Sequence, residues 1–265
     1  MYLMDYHHHT NNSFDSTAMM EEVCLKAIEN NIKEICFTEH FSVNPLAPTY
    51  GHMDFNKYFS ELRYCQEKFR GQLTVKAGIE LCEPHLLTDK YDQTLKHLNL
   101  DFILGSVHNI NNQKLRIVLK EHNQQAYQLY FEELYKMVSA ADIDVIAHLD
   151  LMKRYGYKEY GIYQFEDYQE IIHQILKKAI ERNIGIEINT SGLRSGLKQT
   201  LPSMNIIQLY KELGGEILTI GSDSHKAETV GANLIEAYNI ARECGFTYIY
   251  KFEQRKPIAI KMFGD

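Results

Sequence analysis

Short apolar runs and longer amphipathic stretches alternate along the chain from one end to the other. Seven runs read as β-strands, at residues 2–5, 34–37, 75–79, 102–105, 144–147, 185–188 and 217–220. Between them apolar residues recur at helical spacing, as in Met19, Val23, Ala27 and Ile28, or Tyr130, Leu134, Met137 and Val138, or Ile171, Ile172, Ile175, Leu176 and Ile180. Strands alternating with helices of this length imply βα units around a mainly parallel sheet. Seven such units, with an extra strand-like run at 248–252, predict an α/β fold closed or nearly closed into a barrel. No linker, fixed-period repeat or low-complexity tract interrupts the pattern, so residues 1–265 are expected to form a single domain. Residues 41–58, with Pro45, Pro48, Gly51 and His52, break the rhythm and predict a long loop over the barrel mouth.

Composition narrows the classes. The 265 residues, 45% apolar and 24% charged, suffice for one barrel-sized core. Nothing approaches the roughly 18 consecutive apolar residues of a membrane span, and the N-terminus lacks a basic-then-apolar layout. We therefore expect no membrane association and a cytoplasmic location. Five cysteines, an odd number without C-x-x-C spacing, argue against a disulfide framework and against a thiolate zinc site. A net charge of −7 without a dense Lys/Arg block disfavours long nucleic acid as a partner. A small anionic substrate stays open, because bound cations reverse the local field.

The candidate chemistry sits at the strand ends. His7, His9, Asp15, His40, Glu80, His108, His148, Asp223 and His225 nearly all follow an apolar run directly, the placement expected of a barrel's C-terminal rim. In extended chain His7 and His9 share a face while His8 points elsewhere. Asp5 lies on the same alternation and is expected to hold an imidazole N–H. Asp15 fits two roles, a ligand or the N-cap of the next helix. Glu80 ends the third strand, where a carboxylate is costly to bury unless paired or bound to metal, and where its two oxygens suit it to bridge cations. Gly221 allows close backbone approach, and Asp223 and His225 alternate onto one face. Each histidine taken singly also reads as a hydrogen-bonded core residue; repetition over successive strands favours a shared polynuclear site. Arg154 and Arg194 fall in loops after strands, where a guanidinium could fork phosphate oxygens, though Arg154 also reads as a solvated surface residue. Glu187 fits either a carboxylate behind the ligands or a strand-end ion pair. His52, His85, His97, His122 and His173 lie outside the pattern, with His52 and His85 candidates for the mouth.

In order and spacing, Asp5-x-His7-x-His9-Thr10, Glu39-His40, Gly78-Ile79-Glu80, Ser106-Val107-His108, Ala147-His148 and Ser222-Asp223-Ser224-His225 resemble the motifs of the polymerase and histidinol phosphatase (PHP) superfamily. Phe37-Thr38-Glu39-His40, Gly105-Ser106-Val107-His108 and Asn189-Thr190-Ser191-Gly192-Leu193-Arg194 are similar to its bacterial histidinol-phosphatases. The resemblance implies a distorted (β/α)7 barrel holding three divalent metal ions (Zn, Fe or Mn). Many members carry histidine where Asp15 stands, and an added oxygen ligand shifts the preference toward harder ions such as iron or manganese. The resemblance further implies one ion among His7, His9, Glu80 and His225, a second among Glu80, His108 and His148, and a third among Asp15, His40 and Asp223, with His9 able to join the last. A bridging water, its pKa lowered to about 7, would be the hydroxide nucleophile. Cations of about +6 against −3 from carboxylates and −1 from hydroxide leave a positive centre for a phosphate dianion. Metal-bound water, Asp223 or His225 would protonate the leaving alkoxide.

The expected activity is hydrolysis of a small phosphomonoester, histidinol phosphate, to histidinol and inorganic phosphate in histidine biosynthesis. Three alternatives compete. A related phosphoesterase would prefer nucleotides or short oligonucleotides. An amidohydrolase would place a modified lysine where Glu80 stands, whereas Lys76 lies inside the strand. A non-catalytic metal-binding module would have no need of an open polynuclear site.

Overall fold

A computed structural model describes residues 1–263. Its elements run β1 (Met4–His8), α1 (Met20–Glu29), β2 (Glu34–Phe41), α2 (Phe55–Lys68), β3 (Thr74–Cys82), α3 (Thr88–Leu95), β4 (Phe102–Ser106), β5 (Asn109–Ile110), β6 (Gln113–Lys114), α4 (Leu115–His122) and α5 (Gln125–Ala140). The second half adds β7 (Val145–Ile146), α6 (Met152–Tyr160), α7 (Phe165–Glu181), β8 (Gly185–Asn189), α8 (Ser191–Arg194), α9 (Met204–Glu212), β9 (Leu218–Gly221), α10 (Leu234–Glu243), β10 (Tyr248–Glu253) and β11 (Lys256–Lys261). Seven strands form one parallel sheet in the order β1-β2-β3-β4-β7-β8-β9. All seven predicted runs are present. Every position of β1, β4, β8 and β9 is buried, as in strands covered on both faces; β4 and β9 accordingly read as short apolar runs, while β1 and β8 bury charged or polar side chains as well.

The sheet closes between its first and last strands. Asp223 N donates to His7 O at 2.8 Å and His9 N to Ser224 O at 2.9 Å, with His8 bridged in parallel to Ser224. Lower on the same seam the Tyr238 hydroxyl takes over, accepting from Met4 N (3.3 Å) and donating to Tyr2 O (2.7 Å). The architecture is thus the expected distorted seven-stranded α/β barrel.

Two local departures matter. First, β1 is bulged: Asp5 faces Ile35 and His8 faces Phe37, so Tyr6 and His7 together oppose one residue of β2. A bulge reverses the side-chain alternation. Tyr6 and His7 therefore both point inward, and Asp5 turns out of the barrel, accepting hydrogen bonds from Ser222 N (2.8 Å), Ser222 Oγ (2.6 Å) and Gly231 N (2.9 Å). Asp5 holds backbone, not the imidazole N–H that simple alternation assigned to it. Second, the run at 248–252 is a strand but stays outside the parallel sheet, pairing antiparallel with β11. This hairpin covers the base of the barrel and inserts Phe252 beneath it, 4.8 Å from the Phe102 ring, which Tyr6 meets edge-on at 5.1 Å.

The predicted long loop occupies residues 42–54 and ends where Asp54 caps α2 by accepting from Asn56 N and Lys57 N. Its Ala47, Pro48 and Thr49 flank the barrel mouth. Among the described residues no helix is long and apolar enough to cross a membrane.

Candidate metal centre

The strand ends converge as the sequence predicts. His7 Nε2 lies 3.0 Å from His9 Nε2, and Glu80 Oε2 lies 3.2 and 3.4 Å from the same two atoms. The other Glu80 oxygen is 3.0 Å from His148 Nε2 and 3.7 Å from His108 Nε2. Glu80 thus faces one pair of imidazoles with each oxygen, and its Oε2 also meets His40 Nδ1 at 2.9 Å. Asp223 Oδ1 lies 3.8 Å from His7 Nε2 and 3.6 Å from His9 Nε2. On the far side of His9, Asp15 Oδ2 lies 3.5 Å from His40 Nε2 and 3.3 Å from His225 Nε2, and the His9 ring stacks between those of His40 and His225 at 4.3 and 4.2 Å.

Two sequence readings change here. Asp15 is no helix cap, because α1 begins five residues later with Met19 at the N-cap. The groupings implied by the resemblance exchange two members: Asp223 faces His7 and His9, while His225 joins Asp15 and His40. The bend at Asp223 (φ 50°), with the carboxylate turned toward the axis, produces that exchange, which plain alternation through Asp223 and His225 does not capture.

Do these residues fit cations? The tautomers say so. Glu187 Oε1 accepts from His7 Nδ1 at 2.7 Å, which leaves a bare lone pair on Nε2. Ser13 Oγ donates to Glu39 Oε2 (2.8 Å), so it must accept from His9 Nδ1 (3.1 Å), and His9 Nε2 is bare as well. Ser106 Oγ repeats the arrangement, donating to Leu81 O and accepting from His108 Nδ1 (3.2 Å). Lone pairs and carboxylate oxygens thus crowd one buried space with few protons between them, which only added positive charge relieves. The mixed nitrogen and oxygen donor set suits divalent metal ions.

Electrostatics agree. Burial favours neutral His7, but Glu187, Glu80 and Asp223 outweigh it and hold its pKa well above the ordinary imidazole value, so the Nε2 lone pair left by the Glu187 hydrogen bond draws a proton or a cation. Burial also opposes ionised Glu80, yet His40 and His7 hold its carboxyl well below the usual range. His108 goes the other way, pushed down to about 3 chiefly by burial. The centre attracts positive charge and shares it unevenly.

Backbone strain accompanies the site. His148 has φ 28°, a region unfavourable for any side chain, and is held there by its N–H donating to Glu187 Oε2 at 2.8 Å. Glu187 therefore anchors two strand ends at once. Gly221 is required beside it: a Cβ there would lie 2.2 Å from Glu187 Oε1 and 2.3 Å from His7 Cβ.

Chain folding brings Arg154 to the rim, where its Nη2 donates to Asp223 Oδ2 at 3.0 Å and to Ser191 Oγ. Arg194 instead donates to Ser222 O (2.6 Å) and Thr190 Oγ1 (3.3 Å), holding the backbone that carries Asp223. His85 is buried against Glu133 at 2.9 Å, away from the ligands, and His52 is exposed. Beside His40 and His108 opens a cleft of about 220 Å³ lined also by Phe14, Cys82, Arg116 and Tyr155, with the Arg116 guanidinium 5.3 Å above the Tyr155 ring. Sequence reasoning missed Ser13, Glu39, Ser106 and Arg116. Glu39 left a signal, a carboxylate next to His40 in an apolar strand, whereas Arg116 left none.

Residues 5–191 match the PHP domain model. The chain belongs to the PHP domain family. This PHP domain is 32% identical over 262 residues to a probable histidinol-phosphatase of Clostridium acetobutylicum, covering 96% of this chain and 98% of that protein. It is 28% identical to the histidinol-phosphatase of Lactococcus lactis subsp. lactis, covering 96% and 95%. Its fold superposes on the crystal structure of histidinol phosphate phosphatase from L. lactis, complexed with zinc, L-histidinol and phosphate, with a TM-score of 0.89, 25% identity and coverage of 97% and 98%.

Proposed function

We propose that this PHP domain is a single-domain cytoplasmic phosphomonoesterase that hydrolyses histidinol phosphate to histidinol and inorganic phosphate, a step of histidine biosynthesis. The observation that carries this reading is the crowding of imidazole lone pairs and carboxylates around Glu80, with a guanidinium at its edge. Near full-length similarity to histidinol-phosphatases supports the choice of substrate. Three divalent ions, of zinc, iron or manganese, fit the donors: His7, His9, Glu80 and Asp223 would hold one, Glu80, His108 and His148 a second, and Asp15, His40 and His225 a third. Bound there, such ions supply an activated water and neutralise charge on the phosphoryl group.

The protein's own residues do the remaining work. Arg154 offers a planar fork to phosphoryl oxygens, and Arg194 keeps the Asp223 backbone in place behind it. Asp223 and His225 are the proposed route for a proton to the leaving alkoxide; Asp223, ionised beside His7 and Arg154, would first have to take that proton from the attacking water. The cleft beside His40 and His108 receives the alcohol portion, with Phe14 and Tyr155 excluding water.

The test is phosphate release from histidinol phosphate, mononucleotides and dipeptides, by protein treated with chelator and then resupplied with Mn²⁺. Histidinol phosphate should be the preferred ester, and its cleavage should disappear with the metal. Preference for a nucleotide would reassign the substrate, and inactivity on every ester would remove the enzyme reading.

A further inference from the structure

Behind the rim lies an ion pair that the centre does not touch. Asp150 Oδ2 and Lys153 Nζ meet at 2.8 Å, both side chains fully buried. The same oxygen accepts from the Tyr163 hydroxyl (3.0 Å) and from Ser203 N (3.1 Å), while Lys153 Nζ donates to Thr200 O (2.8 Å). Such a pair is a poor source of stability, since desolvating both charges cancels most of their attraction. Its position suggests another use. Asp150 follows His148 by two residues, Lys153 immediately precedes Arg154, and Thr200 and Ser203 belong to the segment after Arg194.

Helix α6 starts at this point without a side-chain cap. Its first turn, which carries Arg154, is anchored by Lys153 reaching across to the segment that follows β8. We infer that Asp150 and Lys153 are positioning residues that lock the loop after β7 to the segment after β8, and so hold the Arg154 guanidinium toward the incoming phosphoryl oxygens. The inference rests on the proposed role of Arg154 as a phosphate contact. Misplacing an orienting group by about 1 Å is enough to cost on the order of 10²-fold in rate, so a small rotation of the first turn of α6 would be felt.

The experiment measures the competitive inhibition constant of inorganic phosphate and the KM for histidinol phosphate on metal-loaded enzyme, with Lys153→Met tested alone and in an Arg154→Ala background. Lys153→Met should weaken phosphate binding and raise KM by about tenfold with unchanged metal content, and this penalty should vanish once Arg154 is gone, because coupled residues are not additive. Penalties that add in the double variant, or unchanged phosphate affinity in Lys153→Met, overturn the positioning role. If Arg154→Ala alone leaves phosphate affinity intact, the reading of Arg154 falls first and takes the inference with it. Should Lys153→Met fail to fold, Tyr163→Phe removes one hydrogen bond from Asp150 and keeps the ion pair. It should raise KM by about two- to threefold, again only when Arg154 is present, and no such dependence on Arg154 would also overturn the role.

Discussion

Both ends of the barrel bury carboxylates, and they treat them in opposite ways. At the base, each acceptor has a donor from the protein. Glu34 takes hydrogen bonds from Tyr2 (2.9 Å), Tyr6 and Lys251 (3.4 Å). Asp101 takes Ala77 N and Gln254 N, and Asp144 takes Ile103 N and the Arg255 guanidinium, which also grips Asp142. At the rim, Glu80 faces Nε2 of His7, His9 and His108, whose opposite ring nitrogens are already committed to Glu187, Ser13 and Ser106, and Asp223 Oδ1 lies near the first two. The contrast separates two uses of a buried charge. Where protein donors close the count, the carboxylate is architecture; where lone pairs face it, the count closes only with a cation.

The largest effect should come from Glu80→Gln, which keeps the shape of the side chain proposed to bridge two ions and removes its charge. Phosphatase activity should fall on the order of 10³-fold or more, since several kcal/mol of charge stabilisation are lost. Metal content by elemental analysis should drop with it, while circular dichroism stays native. Full metal loading in that variant would break the contrast, because the rim would then hold its ions without the bridging charge.

An intermediate effect belongs to the base. Arg255→Ala strands buried Asp144 and should cost about 2 kcal/mol, less than a fully buried pair because the arginine is partly exposed. The loss would appear as a lower Tm with unchanged metal content and an unchanged kcat well below the transition. A fall in kcat there would show that the two ends are not independent.

The smallest effect should fall inside the histidine run itself. His8 is fully buried with no hydrogen-bond partner on either ring nitrogen, packed edge-on against Phe37, and burial pushes its pKa down to about 3. His8→Leu should therefore leave activity and metal content within about twofold and stability within about 1 kcal/mol, as volume-conserving swaps do. Loss of a metal ion in this variant would give His8 a role that its neighbours alone hold in this geometry.

The seven strands were legible as short, mostly apolar runs between helical stretches, and the rim residues because nearly all recur at strand ends, Asp15 in the loop between β1 and α1 being the exception. What escaped was set by contacts between distant segments. The bulge that turned Asp5 outward depends on how β1 registers against β2, and nothing in Asp5-Tyr6-His7 marks it. The exchange of Asp223 and His225 followed from one positive φ after a glycine. Ser13 meets the His9 ring nitrogen, with Glu39 of β2 behind it, only because the loop after β1 folds back over the end of β2. The run at 248–252 read as an extra strand with no assigned partner, because strand propensity does not specify one, and β11 supplied it.

Of the four residues whose backbone bonds shut the barrel, His7 to Asp223 and His9 to Ser224, three also face into the cage, at a separation of some 215 positions. A nascent chain that stops short of Asp223 has neither. With the ligand set proposed above, the complete cage would form only after the last strand has found the first, so metal binding would report that the barrel has closed.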